Sequence, residues 1–216
     1  QQGLRLEDLL VLRLARHAAG LVQDAQHPVA LPARVAGRET LRHRVADLHR
    51  LERALAGKVG TELALRRAVA RLGDAADLLV IDCPPTIGLL TVSALAAADG
   101  VLMPVEASSM AVAAAAVTDQ LVRDVAEAYA PALRLWAVLA CRVQSHTRIG
   151  REAVAALRES YGAAVLRATI HESTKMREAW GYGQPVNQYA PRSVAADDYH
   201  QAATELMRRV RQHGRA

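Results

Sequence analysis

Asp82 stands at the end of an apolar run, LLVI at 78–81, and is followed at once by Cys83, Pro84 and Pro85, then by Thr86 and Gly88. The run has the length and Leu/Val/Ile content of a buried strand, and two consecutive prolines stop it. A carboxylate held at a strand tip by so rigid a turn has two uses. It can cap the turn by accepting backbone N–H groups. Alternatively, it stands beyond the carboxyl end of a strand, where open α/β sheets bind their ligands. Gly88 permits backbone conformations closed to other residues, as a segment from Thr86 to Gly88 that moves with a ligand would need. Cys83 reads as a small buried residue and not as a reactive thiol.

A second candidate for phosphate chemistry, GKVGT at 57–61, fails on its context. A phosphate loop needs a glycine-rich bend directly after a buried strand, with Lys and then Ser/Thr opening a helix. Here Lys58 is followed by Val59, and 51–56 reads as helix, so this is a turn between helices. His17, His27, His43, His49, His146, His200 and His213 form no helix-spaced metal pair and read as surface residues. Trp180 and Tyr182 read as packing and turn residues.

Elements must position these side chains. Four β-rich runs stand out, at 78–82, 101–105, 135–140 and 165–170, with helical stretches between them. Val117, Leu121 and Val125 recur at four-residue spacing in one such stretch. Strand–helix–strand alternation predicts right-handed crossovers and a doubly wound, mostly parallel sheet with helices on both faces. The last helix, about 195–211, places Tyr199, Leu206 and Val210 on one side. Before Leu78 the chain reads as two helices, about 5–19 and 39–71, joined by a loop containing Pro28 and Pro32. One α/β domain spanning 1–216 is expected.

Composition excludes several classes. Half of the 216 residues are hydrophobic (51%), yet no apolar run approaches the roughly 18–20 residues that cross a bilayer. The two cysteines, Cys83 and Cys141, have no metal-ligand spacing and cannot build a disulfide framework, which points to a reducing cytoplasm. Residues 1–140 hold 15 Lys/Arg against 15 Asp/Glu, whereas 141–216 hold 12 against 7, so the whole excess of +5 lies in the last third. Such a sector suits either a polyanionic partner or a solvated arginine-rich surface. Aromatic residues make up only 3%, too few for a base-stacking platform, so duplex backbone contact is the expected mode.

Four segments carry a resemblance to a known family: IDCPPTIGLLTVSALAAADGVLMPVEAS (81–108), CRVQSHTRIGREAVAALRESYG (141–162), IHESTKMREAWGYGQPV (170–186) and YAPRSVAADDY (189–199). They resemble the second half of the ParA/MinD-type deviant P-loop ATPases, and most nearly the ParA partition branch. LPA at 31–33 agrees more weakly, and Gln2-Gly3 would follow the family's second strand. The lysine-bearing glycine loop that opens the family's domain is not among these residues, so the resemblance implies an N-terminally shortened P-loop fold. It also implies that a strand lying centrally beside the Asp82 strand is missing, leaving an exposed, aggregation-prone edge. The 216 residues alone are expected not to turn over ATP.

The resemblance implies roles residue by residue. Asp82 would be the catalytic and metal residue, holding Mg2+ through water; Pro84, Thr86 and Gly88 would complete the γ-phosphate side of an ATP site. Cys141, Arg142, Ile170 and His171 would lie at the base. Cys141 stands where the family commonly has asparagine and His171 where it has proline, and a thiol cannot supply an amide's paired donor and acceptor. Lys175 matches a DNA-contact position, with Arg177 and Arg192 extending it and Arg208, Arg209 and Arg211 as further candidates; Val194 replaces another expected basic residue. The implied protein is a cytoplasmic, nucleoid-associated ATPase that partitions chromosome, plasmid or other cargo. It would form an ATP-dependent homodimer, bind double-stranded DNA without sequence preference, and release it on stimulation by a ParB-like partner. The alternatives are a non-catalytic relative lacking the phosphate loop and a membrane-cycling MinD-like ATPase. The second would need a bulky apolar face in the final helix, where 207–216 offers mainly Met207 and Val210.

Overall fold

The computed structural model describes residues 9–14, 60–70, 78–83 and 87–213. Its framework is one sheet of four strands: β1 (Leu9–Leu14), β2 (Leu78–Cys83), β3 (Gly100–Glu106) and β4 (Arg134–Cys141), in the order β2-β1-β3-β4. β3 and β4 pair in parallel, and β1 runs antiparallel to both of its neighbours, so β2, β3 and β4 all point the same way. The α/β sheet expected from the sequence is present, with three of its four strands in one direction and β1 antiparallel to both of its neighbours.

β1 corrects one expectation. Residues 9–14, LLVLRL, lie inside the stretch read as a helix over 5–19, yet they form a strand. Leu9 pairs with Cys83 and Leu10 with Asp82, while Leu10 also stands opposite Leu102. A run of branched and long aliphatic residues suits either structure, and two flanking strands with open hydrogen-bonding edges decide in favour of the strand. One side of the Asp82 strand is therefore paired with β1, and its other side pairs with no strand among the described residues. The fourth β-rich run, 165–170, makes only isolated parallel bridges, Val165 with Val138 and His171 with Val143.

Alternation along the central strands sends residues to two cores. Val101, Met103, Val105, Val138 and Ala140 join one apolar cluster with Leu95, Val122, Val125 and Leu157. These come from three helices: α2 (Leu89–Ala96), α3 (Ser109–Ala128) and α4 (Arg148–Tyr161). Leu102, Trp136 and Leu139 point to the other face and meet Leu166, Ile170, Ala202 and Val210. That face is covered by α7 (Val194–His213). Two shorter helices, α5 (Thr174–Gly181) and α6 (Val186–Tyr189), pack with the start of α7 around Ala179, Val186 and Ala195. An earlier helix, α1 (Ala64–Ala70), follows a 3-10 turn at Thr61–Leu63 that Gly60 opens in the left-handed region, φ 76°.

Local chemistry sets the helix starts. Ser108, Thr147, Ser173 and Ser193 each precede a helix and accept a backbone N–H from Ala111, Gly150, Lys175 and Ala196, at 3.1–3.2 Å, which satisfies donors a helix otherwise leaves orphaned. Gly100 is required by packing: a Cβ there would lie 2.0 Å from the Trp136 ring. Trp136 in turn stacks on His213 at 5.3 Å, tying the end of α7 to β4. On α3 the buried stripe is Ala115, Val122 and Val125 with Leu121 half-buried, whereas Val117 is 52% exposed. The core-facing line is thus rotated from the one read at 117, 121 and 125.

Candidate functional site

The carboxyl ends of β2, β3 and β4 open on the same side of the sheet, as their common direction requires. Asp82 stands there, one residue before the end of β2, with its side chain exposed. Its neighbour Cys83 is buried. That burial, together with the Asp82 charge, pushes the thiol pKa up to about 12, so it stays protonated and unreactive at neutral pH. Pro84, Pro85 and Thr86 lie outside the described residues. Gly88 caps α2 with φ −145° and ψ −179°, extended backbone that any residue adopts, so the special freedom expected of it is not used in this conformation.

A second cluster forms where β3 and β4 end. Arg142 follows β4 with φ 50°, the one non-glycine residue in the left-handed region among the described residues. Its guanidinium pairs with Glu106, at the end of β3, at 3.1 Å and reaches Glu172 at 3.7 Å. Gln144 donates to Glu172 as well. That hydrogen bond, with the nearby charges of Arg142 and Arg177, outweighs desolvation and holds the Glu172 carboxyl below its ordinary range. Glu106, Arg142, Gln144, Thr147, Ile149 and Glu172 line a shallow cavity. Gly150 forms part of its wall because a Cβ there would meet the Gln144 carbonyl at 2.5 Å.

Cys141, Arg142, Ile170 and His171 are brought together, because Val143 donates to the Ile170 carbonyl (2.9 Å) and Glu172 to the Val143 carbonyl (3.2 Å). Their donors are nonetheless spent internally. Ile170 N–H goes to Ala140, His171 N–H to Asp198 at 2.9 Å, and the Cys141 thiol to the Leu139 carbonyl. His171 Nδ1 also lies 3.0 Å from the buried Asp198 carboxylate. A ligand base at this position would therefore meet carbonyl acceptors before it met free backbone donors at 170–172. Asp82 is three strand positions from β4, on the order of 14 Å at ordinary strand spacing. The two clusters can share only an extended ligand.

The basic candidates divide. Lys175, Arg177 and Arg192 are exposed on the α5–α6–α7 unit. Lys175 pairs with Glu178 at 2.8 Å, and Tyr189 donates to the same carboxylate. Arg177 and Arg192 have no acid within ion-pair distance among the described residues. Arg209 is removed from the proposed stripe, because it turns inward and donates to the carbonyls of Trp136 (3.1 Å), Ala164 (2.5 Å) and Val165 (3.0 Å). Glu205, one turn earlier, accepts from the N–H groups of Arg167 and Ala168. Asp198, Glu205 and Arg209 thus bind the backbone of 164–171, which has few strand hydrogen bonds of its own. Glu106, Glu172 and Asp198 went unread in the sequence. Glu106 follows a buried strand just as Asp82 does, and that signal was available.

Trp180 departs from the expected packing role, whereas Tyr182 lies in the turn after α5 as expected. Trp180 is 81% exposed and Tyr182 72%. Tyr182 stacks on Tyr189 at 5.2 Å, whereas Trp180 has no ring contact among the described residues. Among the described residues no group of three His, Cys, Asp or Glu could hold a metal ion, and no helix is long and apolar enough to cross a membrane.

Comparison with known proteins gives this geometry a family. A family model described as an AAA domain matches residues 36–135. An uncharacterised Mycobacterium tuberculosis protein is 34% identical over 76% of this chain and 51% of its own length. The chromosome-partitioning ATPase Soj of Thermus thermophilus is 34% identical over 71% of this chain and 61% of its own. Among solved structures, cobyrinic acid a,c-diamide synthase from Mycobacterium smegmatis, with bound ATP analogue and magnesium, superposes with a TM-score of 0.55 at 28% identity, covering 64% of this chain and 62% of that one. The fold is that of the P-loop NTPases, and the sequence is similar to ParA-type chromosome-partitioning ATPases. It spans about half the length of the first curated relatives it matches.

Proposed function

We propose that this chain is part of a ParA-type ATPase that partitions DNA or other cargo. The observation carrying the reading is Asp82, an exposed carboxylate at the carboxyl tip of a strand in a P-loop-type sheet. The residues present fit the magnesium side of an ATP site. Asp82 would hold a metal-bound water, with Pro84, Thr86 and Gly88 following it. Magnesium, when bound, supplies charge neutralisation at the phosphates. The base side fits less closely: Cys141 offers only a thiol, and the N–H groups of Ile170 and His171 are occupied. Recognition around Arg142 and His171 would rest on carbonyl acceptors. Among the described residues no lysine-bearing glycine loop follows a strand.

ATP would act as a switch ligand, favouring a homodimer by its greater affinity for that state. The dimer would bind duplex DNA through Lys175, Arg177 and Arg192, and a ParB-like partner would trigger hydrolysis and release. The protein would work in the cytoplasm on the nucleoid. The charge excess in 141–216 and the exposure of Lys175, Arg177 and Arg192 support this surface. Mobility shifts with the complete natural protein, with and without ATP, test it. Binding should be independent of base sequence, should fall steeply between two salt concentrations, and should weaken on every sequence in Lys175→Glu. Absence of binding at any salt with ATP present would return this face to ordinary solvated surface.

A further inference from the structure

Tryptophan is among the most buried residue types on average, and one left 81% exposed adds almost nothing to a core. Trp180 lies on α5 three residues after Arg177. Side chains at that spacing sit on one helix face, about 5–6 Å apart at their Cβ atoms. Arg177 is exposed and has no acid within ion-pair distance among the described residues, and Lys175 lies two residues before it on the same short helix, on a different face. Tyr182, in the turn that follows, is fixed by its stack on Tyr189, and Tyr189 is anchored on Glu178. A cation beside a large exposed aromatic surface, on a helix backed by its own small apolar cluster, is a preformed contact site.

We infer that Trp180 is part of the duplex-DNA surface and supplies its non-electrostatic share of affinity, its indole lying against the sugar–phosphate backbone. This rests on the DNA-binding reading above and deepens it. A phosphate docked on Arg177 brings its strand within reach of an indole one helical step away. The partner's charge is set by Arg177, Arg192 and Lys175, which call for a polyanion. The two residue types should then be separable by salt. Each lost cation lowers the slope of log affinity against log salt by roughly 0.9, whereas a lost aromatic contact lowers affinity without changing that slope.

The test uses the complete natural protein with ATP and magnesium, a mixed-sequence duplex, and the variants Trp180→Ala, Trp180→Phe and Arg177→Ala. Trp180→Ala should bind roughly fivefold more weakly or worse at every salt concentration, with the slope unchanged. Trp180→Phe should recover most of the loss, and Arg177→Ala should flatten the slope. The emission difference between wild type and Trp180→Phe should shift or be quenched on adding DNA. Thermal unfolding should be nearly the same for all, since the side chain is largely exposed. Undiminished binding by Trp180→Ala with constant Trp180 emission would overturn the inference while leaving the DNA reading intact, and would assign the indole to a protein partner. If wild type binds no duplex at any salt, the DNA reading fails and takes this inference with it.

Discussion

The two halves of the sheet are built on different terms. In β3 and β4 nearly every residue is buried, because helices cover both faces: α2, α3 and α4 on one, α7 on the other. In β2 only Cys83 is buried, Val80 is 47% exposed, and the strand is joined to the rest of the sheet through β1 alone. Under the proposed function the difference separates scaffold from chemistry. The covered half fixes where strands end, and the less covered half presents Asp82. Stability therefore belongs to β3 and β4, and Asp82 is exposed at the end of β2.

Substitutions can break that contrast. Leu102→Ala in β3 removes a side chain only 5% exposed and should cost about 2–5 kcal/mol in denaturant unfolding. Gly100→Ala drives a Cβ into the Trp136 ring and should cost about 1–3 kcal/mol. Val80→Ala in β2 should stay within about 0.5 kcal/mol. If Val80→Ala cost as much as Leu102→Ala, the uncovered state of β2 would be wrong.

Acid sharpens it further. Burial pushes the Glu205 carboxyl up, but the N–H groups of Arg167 and Ala168 and the Arg209 charge together hold it below its ordinary value of 4.5. A carboxylate depressed by folding stabilises the protein above its unfolded pKa and loses that contribution as pH falls through the folded one. Wild-type stability should accordingly drop more steeply than that of Glu205→Gln as pH falls below about 4.5, measured by thermal melts across pH. The smallest effect concerns the thiols. Half-buried Cys141 should react with iodoacetamide in the native protein while Cys83 stays unmodified, as peptide mapping would report.

How far this was legible follows from burial. The runs that became β2, β3 and β4 could be read within a residue or so, since strands buried or half-buried between helices are continuous apolar stretches. Asp82 was legible because a charge ends such a run before two prolines. β1 was not, because LLVLRL satisfies a helical pattern until two open strand edges compete for it. The 165–170 run looked like a strand, but α7 takes over its backbone donors through Asp198 and Glu205. Arg209 looked like the other arginines of its helix. Only three-dimensional contact reveals that its guanidinium spans three carbonyls. Trp180 failed for the opposite reason: composition suggests a packing residue, and nothing local says that its face is uncovered.

The most direct measurement is magnesium-dependent ATP hydrolysis by the complete natural protein, compared with Asp82→Ala and Asp82→Asn. The account predicts a loss on the order of a hundredfold or more in both, with thermal unfolding unchanged because the side chain is exposed. Full turnover in both variants would contradict it, since the carboxylate at the tip of β2 would then have no part in the chemistry.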